Sequence, residues 1–309
     1  MGENMIPISL TAGDLTVHIL TWGAVVQNIR LAGVNHNLTC GRDALSDYQG
    51  KWCHHGALIG PIVNRISNAR VKIDGMMHEL ERNQDGHIHL HSGKHGTHRQ
   101  DWTIVDLTDT AVKLEIRLPD GMCGLPGNRL VQVTYTVAAP ATFTMKITGT
   151  TDTNTMMNFA NHSYWNLDGT NDWSGHQLQI DAQSFLPCTT DNYPTGEIAN
   201  VSNTPLDFRH QKPMTVGTNH FDNNFCLSAT PAPLRDVLSL TGTSGVRMIL
   251  ATTETGVQLY DGRDMPSPYQ GIAIEAQSWP DAPNNRNFPL IRLSKEDTYQ
   301  QTTQWRFSR

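Results

Sequence analysis

The feature that most limits the fold of this chain is a two-residue alternation of apolar side chains that keeps returning, with no helical period to compete with it. Val17, Ile19 and Thr21; Leu114, Ile116 and Leu118; Val131, Val133, Tyr135 and Val137; Phe143, Met145 and Ile147; and Tyr299, Gln301, Thr303, Trp305 and Phe307 each line one side of an extended segment. Turn signals punctuate them: Asp74-Gly75, Asp85-Gly86, Asp120-Gly121, Asp168-Gly169 and Asp261-Gly262. Short strands separated by such turns pack as antiparallel sheets, so the expectation is an all-β fold, a large β-sandwich with few helices. At 309 residues it fits one domain spanning 1–309, with the loop-rich stretch from Phe185 to Thr218 as an excursion over one sheet.

Composition excludes several partners. With 23 Lys+Arg against 29 Asp+Glu the net charge is −6, and no basic block exists to meet a row of phosphates, so nucleic acid is not expected. No apolar run reaches membrane-spanning length, and Met1 to Val17, with Glu3 and Asp14, reads as neither signal peptide nor anchor. The five cysteines are far apart and never form a C-x-x-C pair, which suits reduced thiols in a cytoplasm. Monomer and homodimer are both open.

Five segments carry groups that do chemistry. In Gly271-Ile272-Ala273-Ile274-Glu275-Ala276-Gln277, a strand would turn Ile272 and Ile274 one way and Gly271, Ala273, Glu275 and Gln277 the other, leaving a carboxylate among small residues with open space before it. The following loop places the Trp279 indole near the opening, where a sugar ring could stack; a core tryptophan is the plainer alternative. In Asn158 to Leu167 the same alternation groups Asn158, Ala160, His162 and Tyr164, and an imidazole there is either a hydrogen-bonded core group or an acid–base. His87, His89 and His91 alternate and could share one face, but nothing nearby fixes the further ligand and defined fourth position that a metal site needs. A polar pocket wall is therefore preferred, and no metal is expected. Adjacent His54 and His55 would face opposite ways on a strand and read as incidental. Arg65, after Asn64, and Asp222 have the donors and acceptors that grip vicinal hydroxyls, or that form a surface ion pair.

Taken in order, these segments resemble the aldose 1-epimerase family, the galactose mutarotases. The resemblance is carried by Asn64-Arg65-Ile66, Leu90-His91-Ser92-Gly93, Asn161-His162-Ser163-Tyr164-Trp165-Asn166-Leu167, Asp222 to Phe225, and Glu275 to Asn284, and it spans nearly the whole chain. It implies a galactose mutarotase-like supersandwich acting on a small monosaccharide without a cofactor. It also implies Glu275 as general base, His162 as general acid, His91 assisting, Arg65, Asp222 and Gln277 binding the sugar, and Asn64 supporting them. Three positions depart from the family pattern: Ser92 stands for a glycine, Ala276 for a frequent proline, and Lys295-Glu296 for a Pro-Gly turn. The alternatives are a non-catalytic sugar sensor, a glycosidase using Asp222 and Glu275, and a hexose-6-phosphate mutarotase drawing on Arg82, Lys94 and Arg99.

Overall fold

A computed structural model describes residues 6–309; the first five residues, on which part of the leader reading rests, lie outside it. Two antiparallel sheets dominate. The larger has nine strands in the order Lys212–Pro213, Gln177–Ile180, Arg235–Thr241, Arg247–Thr252, Tyr299–Ser308, Thr142–Thr151, Arg129–Ala138, Ala111–Leu118 and Thr103–Leu107. The smaller has six: Tyr164–Trp165, Ile272–Gln277, Gly256–Tyr260, Asp222–Cys226, Ser184–Phe185 and Ala199–Asn200. The alternating segments all fall on strands, with Thr21 one residue past the end of Leu15–Leu20. Among the described residues the only helices are 3-10 turns of three to five residues, because no stretch offers an apolar stripe at helical spacing. The stretch from Phe185 to Thr218 contributes edge strands to both sheets.

The sheets pack face to face. Trp165 of the smaller sheet lies 6.1 Å from Trp305 and 6.0 Å from Phe307 of the larger, ring centre to ring centre. Ile272, Ile274, Val257, Leu259 and Phe225 join Phe143, Met145 and Trp305 in one buried apolar cluster. Since side chains alternate along a strand, sending these residues into the core turns their neighbours to the opposite face. There one rung runs Tyr164, Ala273, Tyr260 and Asp222, and the next runs Glu275, Gln258 and Asn224. The irregular segments around residues 51–66 and 84–91 cover this face.

One reading of the Glu275 segment needs correction, and for Trp279 the plainer alternative holds. Gly271 opens no space: a Cβ there would stand 2.6 Å from Cys40 Sγ and 3.0 Å from Tyr164 Cβ, so glycine is needed for close packing. Trp279 is a core residue, with its indole N–H on Thr255 O at 2.8 Å and its ring 5.1 Å from that of Phe288. We expect Gly271→Ala to lower the unfolding free energy by about 1–3 kcal/mol in urea denaturation, the usual cost of overfilling a packed site.

Candidate active site

A cavity of about 290 Å³ opens over the polar face of the smaller sheet, lined by His54, Asn64, Arg65, His91, His162, Tyr164, Asp222, Tyr260 and Glu275, among others. Of the seven residues singled out in the sequence, six line it. Gln277 does not: it follows Glu275 on the same face but is fully buried outside the lining, and neither of its amide atoms has a protein partner.

Glu275 and His162 meet at the floor, although 113 positions apart, from residue 162 to residue 275. Glu275 Oε1 lies 3.5 Å from His162 Nε2, and both side chains are nearly fully buried. The separation is longer than a good hydrogen bond, and Glu275 Oε2 and His162 Nδ1 have no protein partner. Burial pushes the Glu275 carboxyl up to about 8; the nearby Asp222 charge adds to this and Arg65 opposes it. Burial also holds His162 well below its usual range, reinforced by His54 and His55. The pair thus favours one proton in total, since either excess or absence leaves an uncompensated buried charge.

His91 is oriented by backbone. Asn64 N–H donates to His91 Nδ1 at 3.0 Å, and His91 N–H donates to Asn64 O at 3.1 Å. Burial keeps this imidazole neutral, so with Nδ1 accepting, the proton sits on Nε2 as a fixed donor. Asn64 and His91 both occupy left-handed backbone, φ 67° and 54°. Ser92 follows at φ 61°, where a glycine would be easiest, and its hydroxyl donates to Ile62 O at 3.0 Å and accepts from Ile62 N–H at 2.8 Å. The serine that departs from the family pattern therefore ties the His91 turn to the Asn64 segment.

On the opposite wall Arg65 Nη1 pairs with Asp222 Oδ2 at 3.2 Å and its Nε donates to Gln84 Oε1 at 3.0 Å. Gln258 donates to the other Asp222 oxygen at 2.7 Å. Arg65 is also anchored through its backbone: Asp281 N–H donates to Arg65 O at 3.1 Å, while Asp281 Oδ1 accepts from Ser67 N–H at 3.0 Å and from Asn284 Nδ2 at 2.7 Å. The Trp-Pro-Asp-Ala-Pro-Asn segment is thus a brace for the arginine.

The three alternating histidines separate. Only His89–Leu90 is strand, and the chain turns at His91. His87 is exposed and pairs with Asp191 at 3.2 Å; His89 is buried with Nδ1 2.8 Å from Glu81 O; His91 alone reaches the cavity. His54 and His55, read as incidental, both line it, because residues 51–56 form turns and strand alternation does not govern where they point. Gln258 went unnoticed; its position opposite Glu275 is visible only once the strands are paired.

Comparison with known proteins agrees with this architecture. The sequence model of the aldose 1-epimerase family matches residues 7–306. Galactose mutarotase of Bos taurus is 32% identical, over 97% of this chain and 93% of that protein. The Homo sapiens galactose mutarotase is 31% identical over 99% and 95%. An aldose epimerase homologue from C. elegans superposes with a TM-score of 0.92 at 26% identity, covering 99% of both chains. The chain therefore belongs to the aldose 1-epimerase family. It is an isomerase, with the mutarotase activity that exchanges the anomers of an aldose.

Removing the brace tests how the wall is built. We expect Asp281→Ala to cost about 1–3 kcal/mol in urea denaturation, since it leaves the buried Ser67 N–H without its acceptor.

Proposed function

We propose that Glu275 and His162 are the acid–base pair of this mutarotase and that its substrate is a free hexose pyranose, galactose among the candidates named by the mammalian relatives. The observation that carries the reading is the pair itself: a carboxylate and an imidazole 3.5 Å apart on the cavity floor, each with one polar atom that no protein group satisfies. In the ionised form of the pair, the carboxylate takes the proton of the anomeric hydroxyl while the imidazolium gives one to the ring oxygen. The bond from C1 to the ring oxygen breaks, leaving an aldehyde at C1 and a hydroxyl at C5. Rotation about C1–C2 presents the other carbonyl face. On reclosure the C5 hydroxyl returns its proton to His162 and Glu275 returns its own to the new anomeric oxygen. His91 Nε2–H supplies a fixed donor to a sugar oxygen. Arg65 and Asp222, already paired, offer their remaining donors and lone pairs to hydroxyls on the far side of the ring.

A phosphorylated hexose is the less favoured substrate. Arg82 pairs with Glu79, Arg99 donates to Cys53 Sγ, and Lys94 is exposed; none of the three lines the cavity. A glycosidase pair is likewise disfavoured, because Asp222 is committed to Arg65 and Gln258. Five free cysteines support a reducing, cytoplasmic location.

We expect Glu275→Gln and His162→Ala each to lower kcat by about two to four orders of magnitude. Polarimetry on folded variants, corrected for the spontaneous rate, measures it; full activity in either removes the assignment. The pH profile has a definite sign. Turnover needs one proton on the pair, so kcat/KM falls as pH rises through about 8, where Glu275 loses it. On the acid side the plateau extends well below 6.5, because burial resists a second proton on His162. A profile with its acid limb at an ordinary histidine value contradicts this.

A further inference from the structure

The cavity wall holds more imidazole than mutarotation uses. The turn at residues 51–56 and the short 3-10 turn Thr97–Arg99 bring Cys53, His54 and His98 together, and the Cys53 thiol and one nitrogen from each ring all lie within 4.8 Å of one another. Cys53 and His98 are buried, and His98 Nδ1 has no protein partner. The His54 ring packs 5.1 Å from that of His98, 5.0 Å from that of His91 and, nearly parallel, 5.7 Å from that of His162. Two nitrogens and a sulfur are the donors that borderline-soft divalent ions prefer. A tetrahedral zinc ion, with bonds of about 2.0–2.3 Å, needs donors roughly 3.3–3.8 Å apart, so side-chain rotation closes the site without moving the sheet.

We propose that Cys53, His54 and His98 form a binding site for a zinc-class divalent cation in the wall of the sugar cavity, and that its occupancy inhibits the enzyme. Coordination displaces the thiol proton to solvent and the Arg99 guanidinium, which donates to Cys53 Sγ at 3.2 Å in the metal-free protein. The arginine is half-buried and can turn outward. His54 lines the cavity, so an ion bound there sits at its wall. An ion there, with one net positive charge once the Cys53 thiolate is counted, fixes the His54 ring that stacks 5.7 Å from the His162 ring and narrows the cavity, which hinders seating of the sugar. The inhibitory half of the proposal rests on this cavity as the sugar site; the binding half does not.

The test is titration of the reduced, metal-free protein with Co2+, then Zn2+. One equivalent of Co2+ should give a thiolate-to-cobalt charge-transfer band in the near ultraviolet with tetrahedral visible absorption, and Zn2+ should bleach both. The band should vanish in Cys53→Ser, and His98→Gln should weaken Co2+ affinity at least ten-fold, with near-UV circular dichroism reporting that each variant is folded. Mutarotation by the wild type should fall at least ten-fold with one equivalent of Zn2+ and stay constant with Mg2+, and each variant, against its own metal-free rate, should escape inhibition. Absence of the band overturns the site, as does its survival in Cys53→Ser. Wild-type affinity in folded His98→Gln does the same even if the cysteine variant fails to fold. A normal spectrum with undiminished activity overturns the inhibitory role and leaves the metal ligands assigned.

Discussion

Everything in the cavity over the smaller sheet depends on which way the Ile272–Gln277 strand faces. Ile272 and Ile274 are held in the apolar layer between the sheets, against partners such as Leu259 opposite Ile274. With a side-chain period of two, that burial obliges Glu275 to point away from the core. A slip of one residue would bury the carboxylate in the apolar layer and turn Ile272 and Ile274 to the cavity, so the hydrophobic layer enforces the register of the site. The carboxylate on the cavity floor is aimed by residues that do not line the cavity.

The same burial shapes the electrostatics. A carboxylate and an imidazole taken out of water together lose more from carrying the same protonation than from sharing one proton, because a shared proton leaves no net charge. Arg65 and Asp222 repeat this arrangement on the opposite wall with a fixed ion pair, held by Gln84, Gln258 and the Asp281 brace. The floor pair thus shares a proton that either group can carry, while the wall pair is held as two opposite charges.

The sequence was most readable where the chain is regular. The long strands and the opposed faces around Glu275 follow from alternation, and the contact of Trp165 with Trp305 shows the layer it implied; the meeting of His162 with Glu275 was expected only from the family resemblance. Reading failed where the backbone leaves the extended region. His91 and Ser92 turn left-handed, so the three histidines diverge; the turns at 51–56 bring His54 into the cavity against the strand argument. Gly271 was misread for another reason: a small residue does not by itself reveal whether its neighbour is solvent or packed protein. Gln258 needed strand pairing, which is a long-range fact.

The strand Tyr299–Ser308 lies in the middle of the nine-stranded sheet, hydrogen-bonded to Arg247–Thr252 on one side and Thr142–Thr151 on the other. It is the last strand of the described chain to leave the ribosome, yet it is the seam between the two halves of that sheet. Until it emerges, two half-sheets present open edges that can pair with other nascent chains, and native closure must wait for pairings between residues far apart in sequence, such as Thr142 with Arg306. The protein's exposure to aggregation is therefore concentrated in the interval just before synthesis of this strand ends.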